Sequence, residues 1–198
     1  MAAGVAFSQY KVQPAGPPPP DVPGPISATL QKDGSKVIGG SGPAVCEIWF
    51  RSAAPSGPKT TEEAVSLPTI PQGALLGVLR FPGPGSDRRG QTIKAGVYTL
   101  RYSLQPVNGD HQGVAPQRDF MVMVPLADDT KTDAISNIED LMKMSRKASG
   151  TPHPAILSMS SSSNSAFPEL KKDGESDWAL HTKIGDTPVA VIVVGKVE

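Results

Sequence analysis

The side chains best suited to chemistry crowd into one stretch, Asn108-Gly109-Asp110-His111-Gln112-Gly113-Val114-Ala115-Pro116-Gln117-Arg118-Asp119-Phe120. It gathers Asp110, His111, Arg118 and Asp119 in a single connection between two expected strands. A second histidine, His153, sits in Thr151-Pro152-His153-Pro154, where the flanking prolines stiffen the backbone. The third, His181, falls in the middle of another expected strand. Histidine beside one or two carboxylates can ligate a divalent metal or serve as a general base. One reading therefore makes Asp110, His111, Arg118, Asp119 and His153 a ligand, glycan, metal or catalytic site. The plainer reading is a structural polar loop in which Arg118 and Asp119 pair and His111 bonds a carbonyl. No two histidines show H-x-H or H-x₃-H ligand spacing, which favours the plainer reading. The sequence requires no cofactor, and a divalent metal at these residues stays open.

Stronger signatures are missing. There is no G-x-x-x-x-G-K-[ST] phosphate loop, no H-E-x-x-H zinc helix and no G-x-S-x-G nucleophile elbow. Gly83-Pro84-Gly85-Ser86 is glycine-rich, but proline removes amide donors that a phosphate cradle needs, so it reads as a hairpin loop. Arg88 and Arg89 after it read as solvated charges. Met121 and Met123 alternate on one strand and are more simply core side chains than copper ligands.

The elements that must position these residues are mainly strands, expected at 26–31, 36–38, 44–51, 74–81, 97–104, 119–125, 155–159, 176–184 and 188–197. Tyr98, Leu100, Tyr102 and Leu104 alternate with Thr99, Arg101 and Ser103, the pattern of a half-buried strand. Phe120, Val122 and Val124 alternate with Met121 and Met123, which suits a strand buried on both faces. Lys32-Asp33-Gly34 and Lys171-Lys172-Asp173-Gly174 carry Asp-Gly turn signals. The strands around 97–104 and 119–125 should be antiparallel neighbours. One amphipathic helix is expected over 133–147, with Ile135, Ile138, Leu141, Met142 and Ser145 at helical spacing and Gly150 as terminator. Residues 158–165 read as a serine-rich loop with nothing to bury. The fold expected is an antiparallel β-sandwich, jelly-roll-like or immunoglobulin-like, with that helix in a connection.

Composition agrees. Glycine and proline number 20 and 21 in 198 residues, which favours short elements joined by sharp turns. Residues 10–25 hold Pro14, Pro17 to Pro20, Pro23 and Pro25 and read as a stiff polyproline tether outside any sheet, so the domain should span 26–198. Residues 1–9 resemble the tail of a secretory signal peptide, with Ala6-Phe7-Ser8 offering small residues at a cleavage site, and export is expected. The single cysteine, Cys46, reads as a buried apolar side chain. Basic and acidic residues balance at 19 each, which argues against nucleic acid and anionic membrane surfaces as partners. The most apolar run, Val189 to Val194, is too short to span a bilayer. It should be a central strand or one paired with another subunit.

Lys94-Ala95-Gly96-Val97-Tyr98-Thr99-Leu100 and Gly109-Asp110-His111-x-Gly113-x-Ala115-Pro116-x-Arg118-Asp119-Phe120 resemble uncharacterised exported bacterial β-sandwich proteins that share these patterns. The resemblance covers roughly residues 94–125. It implies the fold class and export, and carries no activity over to this chain. The functional expectation is a non-enzymatic exported module that binds a partner protein or a glycan. The rivals are a metal-dependent enzyme using His111, Asp119 and His153, and a structural subunit assembling through edge strands.

Overall fold

In the computed structural model, which describes residues 10–40, 42–106 and 118–195, the alternating segments resolve into short strands. They are β1 (Tyr10–Pro14), β2 (Ser35–Gly39), β3 (Ala44–Phe50), β4 (Leu75–Phe81), β5 (Gly85–Ser86), β6 (Thr92–Ile93), β7 (Gly96–Leu104), β8 (Asp119–Pro125), β9 (Ile156–Ser161), β10 (Glu169–Asp173), β11 (Asp177–Ile184) and β12 (Thr187–Val194). Two helices accompany them, α1 (Gly24–Ser27) and α2 (Ile138–Ser149). Ten strands form one antiparallel sheet in the order β1-β2-β3-β4-β7-β8-β9-β12-β11-β10, and β5 with β6 make a separate small hairpin.

The sheet turns a corner within β9. Ile156, Leu157 and Ser158 pair with β8, whereas Met159, Ser160 and Ser161 pair with β12. A strand shared in this way lets a twisted sheet fold back on itself. The two ends then approach, with Tyr10 of β1 edge-on to Trp178 of β11 at 5.4 Å between ring centroids. The mainly β, antiparallel architecture is as expected. Its strands run on as one curled, nearly barrel-like sheet instead of dividing into the two sheets of a sandwich.

Alternation sorts the side chains between the two faces. Cys46, Ile48 and Phe50, Tyr98, Leu100 and Tyr102, Met121 and Met123, and Val189, Val191 and Val193 share the large central core. Burial, with the Glu47 charge adding to it, pushes the Cys46 thiol up to about 12, which keeps it protonated. On the outer face, Val22, Ile26 and Leu30 cover Trp49, Leu75 and Val78. Leu141 of α2 likewise covers Phe120, Val122, Val124 and Ile156. Each such large apolar side chain contributes roughly 1.5–3 kcal/mol on burial. Strand β8 is thus buried on both faces, as its composition suggests.

A third cover lies over β7. Thr99, Arg101 and Ser103 were expected to face solvent and are instead fully buried. Residues 126–137 cross above them, held by Arg101. Its Nε and Nη2 donate to the two carboxylate oxygens of Asp129 at 2.8 and 2.7 Å, and its remaining donors reach Gly73 O, Lys131 O and Asp133 O at 2.6–3.0 Å. Gly73 is required here, because its φ is +73° and a Cβ would stand 1.8 Å from the carbonyl oxygen of Ile135.

Several expectations are corrected. Residues 10–25 are no detached tether: Tyr10 to Gln13 precede all of the prolines, keep their amide donors, and pair with β2, while Pro14 ends the edge strand. The Trp49 indole then donates to Gly16 O at 2.8 Å, fixing the following prolines on the domain. Residues 26–31 are not a strand but the end of α1 and a lone bridge from Leu30 to Arg51. Helix α2 starts at Ile138, later than expected, because Asn137 caps it by accepting from the amides of Glu139 and Asp140. Gly150 ends it in the left-handed conformation, as anticipated. Part of the serine-rich run belongs to β9, where Ser158 and Met159 are buried.

Val189 to Val194 lies inside the sheet between β9 and β11. No helix among the described residues is long and apolar enough to cross a membrane.

Candidate functional site

Of the residues singled out by sequence, Asp110 and His111 lie outside the described residues. Arg118 and Asp119 stand at the entry to β8, and neighbouring residues on a strand point to opposite faces. The ion pair expected between them therefore does not form. Arg118 instead reaches Glu62 at 2.5 Å, together with the carbonyls of Glu63 and Gln105. Asp119 turns inward and is fully buried. Its Oδ1 accepts from the Tyr102 hydroxyl at 2.7 Å and the Leu67 amide at 3.1 Å. Its Oδ2 accepts from the amide and hydroxyl of Ser66 at 2.8 and 3.0 Å. Both oxygens are committed, and the carboxylate pins the 52–74 connection onto the core.

His153 is exposed in the turn before β9, with Nδ1 3.4 Å from Arg89 Nη2. A guanidinium only donates, so Nδ1 is the acceptor in this contact. A cation beside that nitrogen is unfavourable for a metal ion. Asp119 and His153 therefore occupy unlike surroundings, one sealed inside and one outside beside an arginine. Among the described residues, no group of three His, Cys, Asp or Glu side chains could hold a metal.

His181 lies on the outer face of β11, its Nδ1 2.8 Å from Ser162 Oγ. Burial first, then the Lys171 charge, holds its imidazolium below the ordinary histidine value of 6.5. The unfolded chain therefore binds this proton more readily than the folded one, and stability falls as pH drops below that value. We expect the urea midpoint of wild type to fall relative to His181→Gln between about pH 8 and about pH 5. Parallel midpoints for the two proteins would refute this.

A different feature has the form of a binding site. A groove of about 620 Å³ runs between α2 and the outer face of the sheet. Such volumes suit a drug-sized ligand or a few side chains of a partner. Leu104, Phe120 and Ile156 supply apolar surface from the sheet, and Ile138 and Met142 supply it from the helix. The helix does this because Leu141, Ser145 and Ala148 are buried against the sheet, which leaves Ile138, Met142 and Arg146 as a neighbouring stripe along the groove. Ile138 is 44% exposed and is the single exposed large hydrophobic side chain among the described residues. Gln105, just past the end of β7, is buried, and its Nε2 has no hydrogen-bond partner among the described residues.

The groove carries charge at both ends. Glu139 and Asp140 line it in the first turn of α2, and Lys143 and Arg146 farther along. Arg89 joins them from the turn between β5 and β6, which is tied to β9. The Arg88 amide donates to Ile156 O at 2.9 Å, and Asp87 Oδ2 accepts from the Ile156 amide at 3.2 Å. Burial raises the Asp87 carboxyl above its ordinary value, against the pull of bonds from Gln91, Ile156 and Arg89. Arg88 is not a solvated charge as expected but is buried and paired with Asp177 at 2.7 Å. Arg89 alone of the two reaches the groove.

Sequence reading missed this groove because its walls come from distant segments. The one local signal is Ile138 and Met142, apolar yet off the helix stripe that meets the sheet. Comparisons with family models, with curated proteins and with solved structures found no match.

Proposed function

We propose that the chain is an exported, non-enzymatic binding module that holds a segment of a partner protein in the groove beside α2. The carrying observation is the groove itself, with Ile138 exposed on its helix wall and half-buried Leu104 and Met142 beside it, over a floor that includes the buried Phe120 and Ile156. Exposed apolar surface rimmed by polar groups favours association. Support for export comes mainly from Ala6-Phe7-Ser8, with the resemblance over residues 94–125 beside it.

Glycan binding has less support. Trp49 is buried with its indole N–H bonded, and Trp178 is half-buried and edge-on to Tyr10, so neither offers an open ring face. A metal-dependent enzyme draws little from Asp119, whose oxygens are committed, or from His153, which faces Arg89. Assembly through edge strands draws little from Val189 to Val194, which is interior to the sheet, and the true edges β1 and β10 face one another.

Selection from a random peptide library on immobilised protein tests the proposal. Enriched peptides should carry apolar residues and should lose at least about tenfold in affinity for Ile138→Asp, whose fold is expected to be intact because the side chain is exposed. Failure to enrich any peptide, or enrichment of peptides indifferent to Ile138→Asp, would count against the groove.

A further inference from the structure

Among the described arginines, Arg80, Arg88, Arg101 and Arg118 each reach a carboxylate, within 2.5–2.7 Å. Among the described residues, Arg89 and Arg146, which line the groove, have no carboxylate within ion-pair distance, nor does Lys143, and Arg51, which does not line the groove, has none either. Arg146 Nε donates to Pro152 O at 2.9 Å, and Arg89 Nη2 rests on His153, so the two guanidiniums are anchored on either side of the 152–154 turn. The helix dipole accounts for a basic residue near the end of α2. It does not account for Arg89, which arrives from another element.

Resting on the groove as the binding site, we infer that Arg89 and Arg146, assisted by Lys143, form a carboxylate subsite for an acidic residue of the bound segment. The opposite end, with Glu139 and Asp140, repels acid, so the groove has a polarity that sets which end of the segment carries the acid. Eight residues separate Ile138 from Arg146, which is about 12 Å along a helix axis. An extended segment crosses that distance in about three to four residues. The ligand is then an apolar residue followed or preceded, about three to four positions away, by Asp or Glu. Two guanidiniums with no carboxylate partner among the described residues bind a carboxylate better than a lone lysine does, because each offers paired N–H donors.

Two dyes of the same ring system separate this inference from the groove itself. N-phenyl-1-naphthylamine is uncharged, and 8-anilinonaphthalene-1-sulfonate adds an anion that stands in for the carboxylate. At low salt the sulfonate dye should bind wild type about tenfold more tightly than the neutral dye, the order expected for two partly exposed charge pairs. The Arg89→Gln, Arg146→Gln double variant should remove that preference while leaving the neutral dye unchanged, and Arg146→Lys should keep part of it. Ile138→Asp should weaken both dyes. If both dyes bind wild type equally, or the double variant keeps the preference, the carboxylate subsite is overturned and the groove stands. If neither dye responds to Ile138→Asp, the groove is overturned as well.

Discussion

Replacing Asp129 by alanine should lower the unfolding free energy by about 3–5 kcal/mol, the usual cost of leaving a buried charge without its partner. Arg101 is 0% exposed and cannot turn to water. Its five N–H donors are spread over Asp129 and three carbonyls, and only the Asp129 carboxylate balances its charge. Thr99 Oγ1 also donates to Asp129 and would lose that acceptor. A loss of this size is a large part of the roughly 5–15 kcal/mol that holds a typical domain together. Urea unfolding followed by circular dichroism would measure it. The pair as a whole is a different matter, since buried ion pairs are often no better than packed apolar side chains. Arg101→Met with Asp129→Leu should therefore recover much of what Asp129→Ala loses. Removing the exposed partner in Lys147–Asp128 is the control, and Asp128→Ala should cost less than about 1 kcal/mol. Equal effects from Asp128→Ala and Asp129→Ala would contradict the clasp.

The same strand shows how far sequence reaches. Alternation from Tyr98 to Leu104 is enough to read β7, its partner β8 and the inward set Tyr98, Leu100 and Tyr102. Alternation distinguishes two faces and does not say what covers the polar one. Arg101 reads as solvent-facing because its partner Asp129 lies in residues 126–132, a stretch with no periodicity. Proline content misleads at 10–25 for a related reason: the rule concerns missing donors, and Tyr10 to Gln13 lack none. The site reading errs differently. Arg118 and Asp119 drew attention as neighbours in sequence, and on a strand such neighbours are the pair least able to meet. The groove draws its walls from Arg89, from residues 104–106, Phe120 and Ile156, and from one side of α2, and apart from Ile138 and Met142 it leaves no local pattern to find.

Asp119 itself offers the second large effect, and it separates a structural carboxylate from a functional one. Were Asp119 held in place for binding or catalysis, its removal would leave stability unchanged or improve it, as at many strained sites. As the pin of the 52–74 connection, it should do the reverse. Asp119→Ala strands the Ser66 and Leu67 amides, each a buried or half-buried donor worth about 1–3 kcal/mol when unsatisfied, and leaves the Tyr102 hydroxyl only the longer bond to Leu67 O at 3.4 Å. The connection can loosen toward water, so the sum is not reached, and we expect a loss of roughly 3 kcal/mol. Asp119→Asn should be nearly as costly. Both oxygens accept bonds, and an amide NH₂ in one position would face an N–H donor. Burial and the bond to Asp119 keep the Tyr102 hydroxyl protonated, so it is a donor throughout the accessible range. Tyr102→Phe combined with Asp119→Ala should therefore cost less than the two single changes added together, by about 0.5 kcal/mol or more. Hydrogen exchange gives the local readout. In Asp119→Ala, the Ser66 and Leu67 amides should lose protection before the amides of β7 and β8 do. Uniform loss across the sheet would mean that Asp119 supports the core directly and not through the connection above it.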